Sequence, residues 1–254
     1  MSGATVIIPA RLHSTRLPGK VLLAETGSPM IVHVCEAAAR GRAVDRVVVA
    51  TDHPDIAATV EQAGFQSVMT SARHANGTSR IAEAAEKLGL DDRDVVINVQ
   101  GDEPEIKPGV IDGAVHALVQ GDVDIGTVVS PFGDGEDADD PNAVKAVLGQ
   151  PKESDGPRRA VYFSRAAVPY DRGGERPVRY RHVGIYAYRA GFVRWYACQD
   201  ATPLERAEKL EQLRALELGR TIGVVEVSGS AVGIDTPEDY RAFVKRWLAD
   251  GARS

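Results

Sequence analysis

Three short β-branched runs, separated by segments with apolar residues at helical spacing, most strongly constrain the fold of this chain. The runs are residues 6–8, 46–50 and 95–99, and the helical patterns are residues 30–38 and 81–88. Strands that alternate with helices in this way form a mostly parallel sheet with helices on both faces. The chain is therefore predicted to be an α/β protein with a doubly wound, mostly parallel sheet. Ligands of such sheets bind at the carboxyl ends of the strands.

A basic turn, residues 9–20, follows the first of these runs. Pro9 is expected to end the strand, because proline cannot donate a hydrogen bond to a β-ladder. Arg11, Arg16 and Lys20 bring three positive charges to the turn. These charges repel one another unless an anion lies among them. The turn therefore predicts a phosphate-binding loop, with a basic surface loop that binds nothing as the alternative.

The overall charge argues against extended anionic partners. The 254 residues carry a formal net charge of −6, which disfavours binding to nucleic acid or to an anionic membrane surface. A small anion such as a nucleoside triphosphate fits better. The glycine patterns of dinucleotide-binding folds and of P-loops do not occur in the sequence. The phosphates are therefore expected to be held by another kind of loop.

Cellular location and cysteine chemistry follow from simpler patterns. No run approaches the roughly 18 apolar residues that a membrane-spanning helix needs, and the chain enters a strand directly without a signal-like segment. A cytoplasmic protein is expected. Cys35 and Cys198 lie in helix-like segments among apolar neighbours, so both are expected to be buried, reduced thiols.

Two aspartates stand where metal ligands are expected in this kind of sheet. Asp102 follows the run at residues 95–99, and Asp235 precedes a helix start that Thr236 and Pro237 already complete. Carboxylates at strand ends can hold Mg²⁺ against triphosphate oxygens. For Asp102 the alternative is an ordinary turn aspartate bonded to its own backbone. Zinc is not expected, because histidines do not cluster at ligand spacing.

The middle of the chain reads as an insertion within a single α/β domain of residues 1–254. It covers residues 131–220, begins with an acidic run interpreted as a solvated loop, and is expected to pack over the sheet edge. Strands are predicted at residues 160–163 and 182–188, and helices at residues 190–198 and 205–218. The chain then returns through a strand at residues 222–227 to a final helix at residues 237–248.

Several polar residues are further candidates for ligand contacts. Asn76 or Thr78 is expected to cap a helix whose free N–H groups suit a base carbonyl or a phosphate, and an ordinary capped helix is the alternative. Arg165 can pair with a carboxylate. His182, Tyr186, Glu211 and Gln212 offer donors and acceptors for hydroxyls, with a surface role as the alternative for each.

Taken together, these segments closely resemble the 3-deoxy-manno-octulosonate cytidylyltransferases, also called CMP-KDO synthetases. The resemblance runs from Ile7 to about Asp239 and is carried by IIPARLHSTRLPGK, IVHV, VVVATDHPDIA, NVQGDEP, PNAVKAV, VYFSRAAVPYDR, RHVGIYAYRAGF, PLERAEKLEQLRAL and GIDTPEDY. It implies a nucleotide-diphospho-sugar transferase-like fold whose inserted α+β region serves dimerisation and substrate binding. It also implies a cytoplasmic homodimer that uses Mg²⁺ and acts in lipopolysaccharide biosynthesis.

The resemblance also implies roles for individual residues, with Lys20, Arg11, Asp102 and Asp235 as the catalytic set. The CTP side comprises Ala10, Arg11, Lys20, Asn76, Arg80, Gln100 and Asp102, and the metal pair is Asp102 with Asp235. The sugar-acid side comprises Arg16, Gln100, Arg165, His182, Tyr186, Glu211 and Gln212. The sequence departs from the family pattern at Asn76 and Ser79, where a serine and an acid are usual, which leaves strictness for cytosine open.

The expected reaction is attack by the anomeric hydroxyl of KDO on the α-phosphorus of CTP, with release of pyrophosphate. A different acceptor, such as amino-KDO, another ulosonic acid or a small phosphonate, is the first alternative. Glu211 and Gln212 favour a polyhydroxylated acid, because a short ligand leaves them unpaired. A CTP-binding regulator without catalysis is the second alternative. Retention of both carboxylates and Lys20 argues against it.

Overall fold

One nine-stranded mixed sheet organises the molecule. The computed structural model describes residues 3–14, 16–133, 136–151, 153, 156–228 and 233–251, so Thr15 of the basic turn and residues 134–135 of the acidic run lie outside the description. The strands are β1 (Ala4–Ala10), β2 (Val44–Thr51), β3 (Gln66–Met69), β4 (Val95–Asn98), β5 (Ile125–Pro131), β6 (Lys145–Leu148), β7 (Arg158–Ser164), β8 (Tyr180–Arg189) and β9 (Ile222–Glu226). Their order in the sheet is β3-β2-β1-β4-β8-β5-β9-β7-β6.

In the part of the chain that the structure describes, eight α-helices connect and cover these strands. They are α1 (Met30–Ala38), α2 (Pro54–Gln62), α3 (Gly77–Lys87), α4 (Pro108–Gly121), α5 (Ala190–Ala197), α6 (Pro203–Glu208), α7 (Glu211–Glu217) and α8 (Pro237–Gly251). The buried side chains form one apolar cluster on each side of the sheet, with α1 and α4 contributing to one and α3, α5 and α7 to the other. The predicted doubly wound α/β architecture is confirmed.

The first four strands form the parallel half that the sequence pattern predicts. β1 pairs in parallel with β2 and β4, and β2 pairs in parallel with β3. The strand continues through Pro9 to Ala10, so the expectation that Pro9 ends it is wrong. Pro9 and Ala10 pair only with β2, whereas pairing with β4 stops at Ile7. Proline is tolerated where the ladder is one-sided, since its missing N–H has no partner to leave unsatisfied.

The inserted segment contributes a central strand as well as peripheral ones. β8 runs antiparallel between β4 and β5, whereas β6 and β7 extend the far edge of the sheet. The expectation that residues 131–220 pack over the sheet edge is therefore wrong for β8. Along the β5–β8 pair the register shifts between Thr127 and Val128, which bulges β8 near Gly184. Bulges redirect side chains and are frequent beside functional sites.

The helix predicted over residues 205–218 is two helices. α6 ends where Lys209 takes a left-handed conformation (φ 54°), and α7 begins two residues later. The Thr202 N–H donates to Glu205 Oε2 at 3.3 Å, which helps to fix the start of α6. Left-handed backbone is uncommon outside glycine, so residue type alone gives little sign of this break.

Close backbone packing joins α4 to β5 and β9. Gly126 and Gly223 are paired across these strands and lie beneath the helix. A Cβ atom on Gly126 would clash with the Ala114 carbonyl oxygen and lie 2.5 Å from the Leu118 nitrogen, and one on Gly223 would lie 2.6 Å from the Ala117 carbonyl oxygen. Only glycine lets the helix backbone approach the sheet this closely.

The two cysteines differ in exposure. Cys35 is fully buried in α1, as expected, and burial raises the pKa of its thiol to about 12. Cys198 is exposed at the end of α5, so the expectation of burial is wrong for it. Apolar neighbours in sequence do not bury a residue that follows the last turn of a helix.

This contrast predicts selective thiol chemistry. In the native protein we expect a disulfide-exchange reagent such as DTNB to modify one thiol per chain, because only an exposed thiol that can ionise reacts readily. In denaturant we expect two. A Cys198→Ala variant should show no fast-reacting thiol when folded. Rapid modification of that variant would contradict the burial of Cys35.

None of the helices in the described part of the chain combines the length and the apolar character that membrane crossing requires.

Candidate active site

Lys20 lies at the centre of a charged cluster at the carboxyl ends of β1 and β4. Its ammonium group donates to Asp102 Oδ2 at 2.6 Å, to the Ile234 carbonyl oxygen at 3.0 Å and to Asp235 Oδ1 at 3.1 Å. Gly19, with φ 66°, turns the chain into the short 3₁₀ helix that begins at Lys20. The structure thus brings together three charged residues that lie 82 and 133 positions apart in sequence.

Backbone contacts hold these loops in place. The Ile234 N–H donates to the Asp102 carbonyl oxygen at 2.9 Å. A Cβ on Gly101 would lie 3.1 Å from the Pro9 carbonyl oxygen, so the loops after β1 and β4 are in close contact. Thr236 and Asp239 cap α8 through reciprocal hydrogen bonds. The side chain of Asp235 is therefore not needed for capping, as the sequence indicated.

Arg16 also contacts the carboxylate pair. Its guanidinium lies 3.0 Å from Asp235 Oδ2, and its side chain is 65% exposed. Arg11 is exposed in the same loop, and Ala10 is buried at the end of β1. The loop therefore presents cations to solvent beside two acids, an arrangement able to receive an anion together with a metal ion.

Next to this cluster is a cavity of about 340 Å³. Its walls come from the starts of α3 and α7, the bulged part of β8 and the end of β4. The lining residues are Gly77, Thr78, Asn98, Gln100, Ile125, Gly184, Tyr186, Tyr188, Tyr196, Lys209, Leu210, Glu211 and Gln212. The structure thus places four of the seven residues predicted for the sugar-acid side, Gln100, Tyr186, Glu211 and Gln212, around one cavity.

Hydrogen bonds fix the orientation of these polar walls. Tyr186 Oη donates to Gln212 Oε1 at 3.1 Å, and Glu211 Oε1 accepts from Arg214 at 2.8 Å. Burial raises the pKa of Glu211, while hydrogen bonds from Thr78 and Arg214 oppose that shift. A partly buried carboxylate held in this way can accept further hydrogen bonds from a ligand hydroxyl.

Arg165 and His182 are not among the residues that line this cavity. Arg165 Nε donates to the Glu208 carbonyl oxygen at 2.7 Å, and its Nη1 donates to the Pro141 carbonyl oxygen at 2.9 Å. His182 Nε2 lies 3.0 Å from Thr127 Oγ1, and its ring lies 5.4 Å from that of Tyr186. A sugar-acid role for these two residues stays a prediction.

Burial lowers the pKa of His182 to about 3. We therefore expect its ring signals in an NMR pH titration to stay at neutral-imidazole positions between pH 8 and about pH 4. The unfolded chain takes up the proton near pH 6.5. The stability that the neutral ring contributes is thus complete above pH 6.5 and is lost as pH falls from 6.5 towards 3. A His182→Gln variant should lack this part of the pH dependence. Titration of the native ring near pH 6.5 would contradict its burial.

Asn76 and Arg80 are occupied within the protein. The Asn76 side chain caps α3 by accepting from the Ser79 N–H at 2.9 Å, as the sequence predicted. Arg80 is 4% exposed, donates to Thr70 Oγ1 and lies 3.4 Å from Asp52 Oδ2. Nucleotide binding by these two side chains stays a prediction.

Sequence reasoning missed other residues of the site. Asn98 and Tyr188 line the cavity, and Glu103 beside Asp102 is 7% exposed. Burial and the adjacent Asp102 raise the pKa of Glu103 to about 8, which keeps a third negative charge out of the cluster near neutral pH. The one sign of these residues in the sequence is their position, because each lies within two residues of a candidate named in the sequence analysis.

The cluster can hold a metal ion only with help from a ligand. Among the described residues, no group of three or more His, Cys, Asp and Glu side chains could hold a metal. Asp102, Asp235 and the Ile234 carbonyl nevertheless direct three oxygens at one point. Mg²⁺ is typically held by one or two carboxylates, waters and substrate phosphates, and this donor set suits it.

Comparisons with known proteins identify the family of this chain. A family model described as cytidylyltransferase matches residues 5–222. A 3-deoxy-manno-octulosonate cytidylyltransferase of Neisseria meningitidis serogroup A is 48% identical over 249 residues, covering 94% of this chain and 96% of that protein. The protein of the same name from Rhodopirellula baltica is 47% identical over 250 residues, covering 95% and 97%.

One solved structure resembles this chain in sequence and fold, and a more distant one resembles it in fold alone. A CMP:2-keto-3-deoxy-manno-octonic acid synthetase complexed with CTP aligns with a TM-score of 0.89 and 36% identity, covering 98% of this chain and all of that one. A nucleotidyl transferase from Methanothermobacter thermautotrophicus, at 16% identity and a TM-score of 0.62, shares the fold over 98% of this chain and 99% of that one. The family model and the relatives together define a nucleotidyltransferase of the cytidylyltransferase class. Within that class, the chain belongs to the 3-deoxy-manno-octulosonate cytidylyltransferase family.

Proposed function

We propose that this protein transfers CMP from CTP to the anomeric hydroxyl of 3-deoxy-manno-octulosonate and releases pyrophosphate. The new bond joins the anomeric oxygen to the α-phosphorus, and the bond from the α-phosphorus to the bridging oxygen breaks. The hydroxyl proton passes to solvent or to the phosphate oxygens. The observation that carries the proposal is the convergence of Lys20, Asp102 and Asp235 beside a cavity lined by Tyr186 and Glu211.

We propose Mg²⁺ as the metal, held by Asp102 and Asp235. When bound, Mg²⁺ supplies positive charge to the phosphate oxygens and lowers the pKa of a hydroxyl that it contacts. Arg11 and Lys20 lie in the loop after β1 and can neutralise charge on the triphosphate and on the departing pyrophosphate. Gln100 lines the cavity and lies two residues before Asp102, which puts it within reach of both substrates.

Recognition of the sugar acid follows from the cavity walls. Glu211 and Gln212 present acceptors and donors that suit several hydroxyl groups, and Tyr186 holds Gln212 in place. A ligand without hydroxyls displaces water from these groups without replacing its hydrogen bonds, at a cost of about 1–3 kcal/mol for each bond lost. This supports a polyhydroxylated acid over a small phosphonate. The exposed Arg16 is available for the carboxylate of the acceptor.

The direct test is pyrophosphate release with Mg²⁺ and CTP, comparing KDO with amino-KDO, sialic acid and a small phosphonate. We expect fast turnover with KDO. Turnover only with another acid would replace the acceptor and keep the chemistry. Tight CTP binding without turnover on any acceptor would support the regulatory alternative. Parallel assays with UTP and ATP measure the strictness for cytosine that Asn76 and Ser79 leave open.

We further propose that the protein acts as a homodimer. Large apolar side chains are exposed in the inserted segment, with Val161 at 60%, Val178 at 62% and Tyr170 at 84%. Exposed apolar residues grouped along one segment are typical of a surface that a partner covers. Light scattering should give twice the chain mass of 27.2 kDa. A Val161→Asp, Val178→Asp variant should give a larger monomer fraction at the same concentration.

The remaining expectations concern the setting of the reaction. We propose a cytoplasmic location, where CTP is available. We also propose that the CMP-linked product serves lipopolysaccharide biosynthesis. Deleting the gene from its host and measuring the KDO content of the envelope tests the second proposal.

A further inference from the structure

We propose that Lys20 and the divalent cation compete for the same three oxygens, so that arrival of the cation frees the lysine for the phosphates of the nucleotide. The inference rests on the metal and nucleotide sites of the proposed function. It adds a second role for Lys20, as the group that holds the two carboxylates together before the substrates bind.

All three donors of Lys20 are already engaged. A lysine ammonium carries three N–H donors. Here three acceptors lie within hydrogen-bond distance, namely Asp102 Oδ2, Asp235 Oδ1 and the Ile234 carbonyl oxygen, at 2.6–3.1 Å. The Lys20 side chain is 13% exposed, so water competes weakly for it. In this arrangement Lys20 cannot also donate to a phosphate oxygen, which its proposed role requires.

The same oxygens suit a small divalent cation. Two carboxylates and a main-chain carbonyl are hard oxygen ligands, and Mg²⁺ binds such oxygens at about 2.0–2.1 Å. The ammonium nitrogen stands where these oxygens converge. A divalent cation that takes this position draws the oxygens inward by less than about 1.1 Å and expels the ammonium.

Charge balance also favours the exchange of Lys20 for a divalent cation. Arg16 lies 3.0 Å from the other oxygen of Asp235, so two cations face two carboxylates. A divalent cation brings the same charge as Lys20 and Arg16 together. It therefore leaves both free for anions, Lys20 for the triphosphate and Arg16 for the acceptor acid. Binding linkage is reciprocal. If the bound cation tightens nucleotide binding by freeing Lys20, then the bound nucleotide tightens cation binding by the same factor.

The test is Mn²⁺ binding to the folded protein without nucleotide or sugar, followed by the EPR signal of free Mn²⁺. Lys20→Met removes the competing charge, and we expect Mn²⁺ to bind roughly tenfold more tightly than to the wild type. Lys20→Gln should show a similar gain. Arg16→Met should gain no more than about threefold, because solvent screens this exposed ion pair. Lys245→Met, an exposed charge change on α8, should leave Mn²⁺ affinity unchanged.

Equal or weaker Mn²⁺ binding by both Lys20 variants would overturn the proposal, as would the lack of measurable binding in every variant. Adding Asp102→Asn to Lys20→Met should remove the gain, and persistence of the gain would place the Mn²⁺ elsewhere. Circular dichroism confirms that each variant is folded. The assay contains neither CTP nor acceptor, so its result is separate from the turnover assays that test the proposed function.

Discussion

Replacing Asp235 with asparagine is expected to lower kcat for pyrophosphate release by about 10³-fold while leaving the fold intact. The change removes one negative charge from the pair that faces Lys20 and the proposed Mg²⁺, and it keeps the size of the side chain. The amide oxygen of the substituted side chain can still accept a hydrogen bond from Lys20. The Asp235 side chain is 41% exposed and does not cap α8, so its loss disturbs no packed core.

The matched control is Glu238→Gln, three residues further along. Glu238 is an exposed acid in the first turn of α8 and pairs only loosely with the exposed Arg241 at 3.2 Å. We expect it to keep nearly wild-type turnover. Circular dichroism and thermal melts of both variants should match the wild type. A folded Asp235→Asn enzyme with ordinary kcat would remove Asp235 from the catalytic set.

Replacing Gly126 with alanine is expected to destabilise the protein by about 3 kcal/mol, because the added methyl group meets α4 backbone that cannot move away alone. The Cβ atom would clash with the carbonyl oxygen of Ala114 and the backbone nitrogen of Leu118. The helix must then lift from both β5 and β9. Urea unfolding at fixed protein concentration measures the loss.

Gly109→Ala, in the first turn of the same helix, is the control for this prediction. A Cβ atom there meets no neighbour within 4 Å. We expect it to change stability by no more than about 1 kcal/mol, in the stabilising direction, since alanine restricts the unfolded chain. Similar losses for the two variants would show that loss of glycine flexibility, and not close helix–sheet packing, governs the effect at Gly126.

Local patterns predicted the parallel half of the fold and much of the cluster around Lys20. Strand periodicity located β1, β2 and β4, and the rule that strand ends share one edge predicted that Lys20 and Asp102 lie together. Asn76 was recognisable as a helix cap because capping depends on neighbours a few residues away. Strand periodicity and helix capping both depend on interactions between residues that are close in sequence.

Features set by distant parts of the chain could not be predicted in this way. β8 reads as an ordinary alternating strand, and its place between β4 and β5 depends on pairing across about 50 residues or more. The break between α6 and α7 requires a left-handed backbone conformation at Lys209, and a lysine in the sequence does not predict that conformation. The occupied donors of Arg165 and Lys20 likewise follow from tertiary contacts. The sequence pattern identifies these side chains as candidates, but it does not show which acceptors within the protein their donors already bind.

The central position of β8 also bears on the order in which the chain can assemble. β1 to β4 lie within the first 98 residues and can pair as they are synthesised, whereas β4 and β5 each wait for residues 180–189 to cover an open edge. Pairings this distant in sequence carry a high loop-closure cost and slow folding. Until that strand inserts, both unpaired edges are open to other chains. Insertion of β8 therefore joins the two halves of the sheet and closes the facing edges of β4 and β5, before β9 arrives to pair with the other edge of β5.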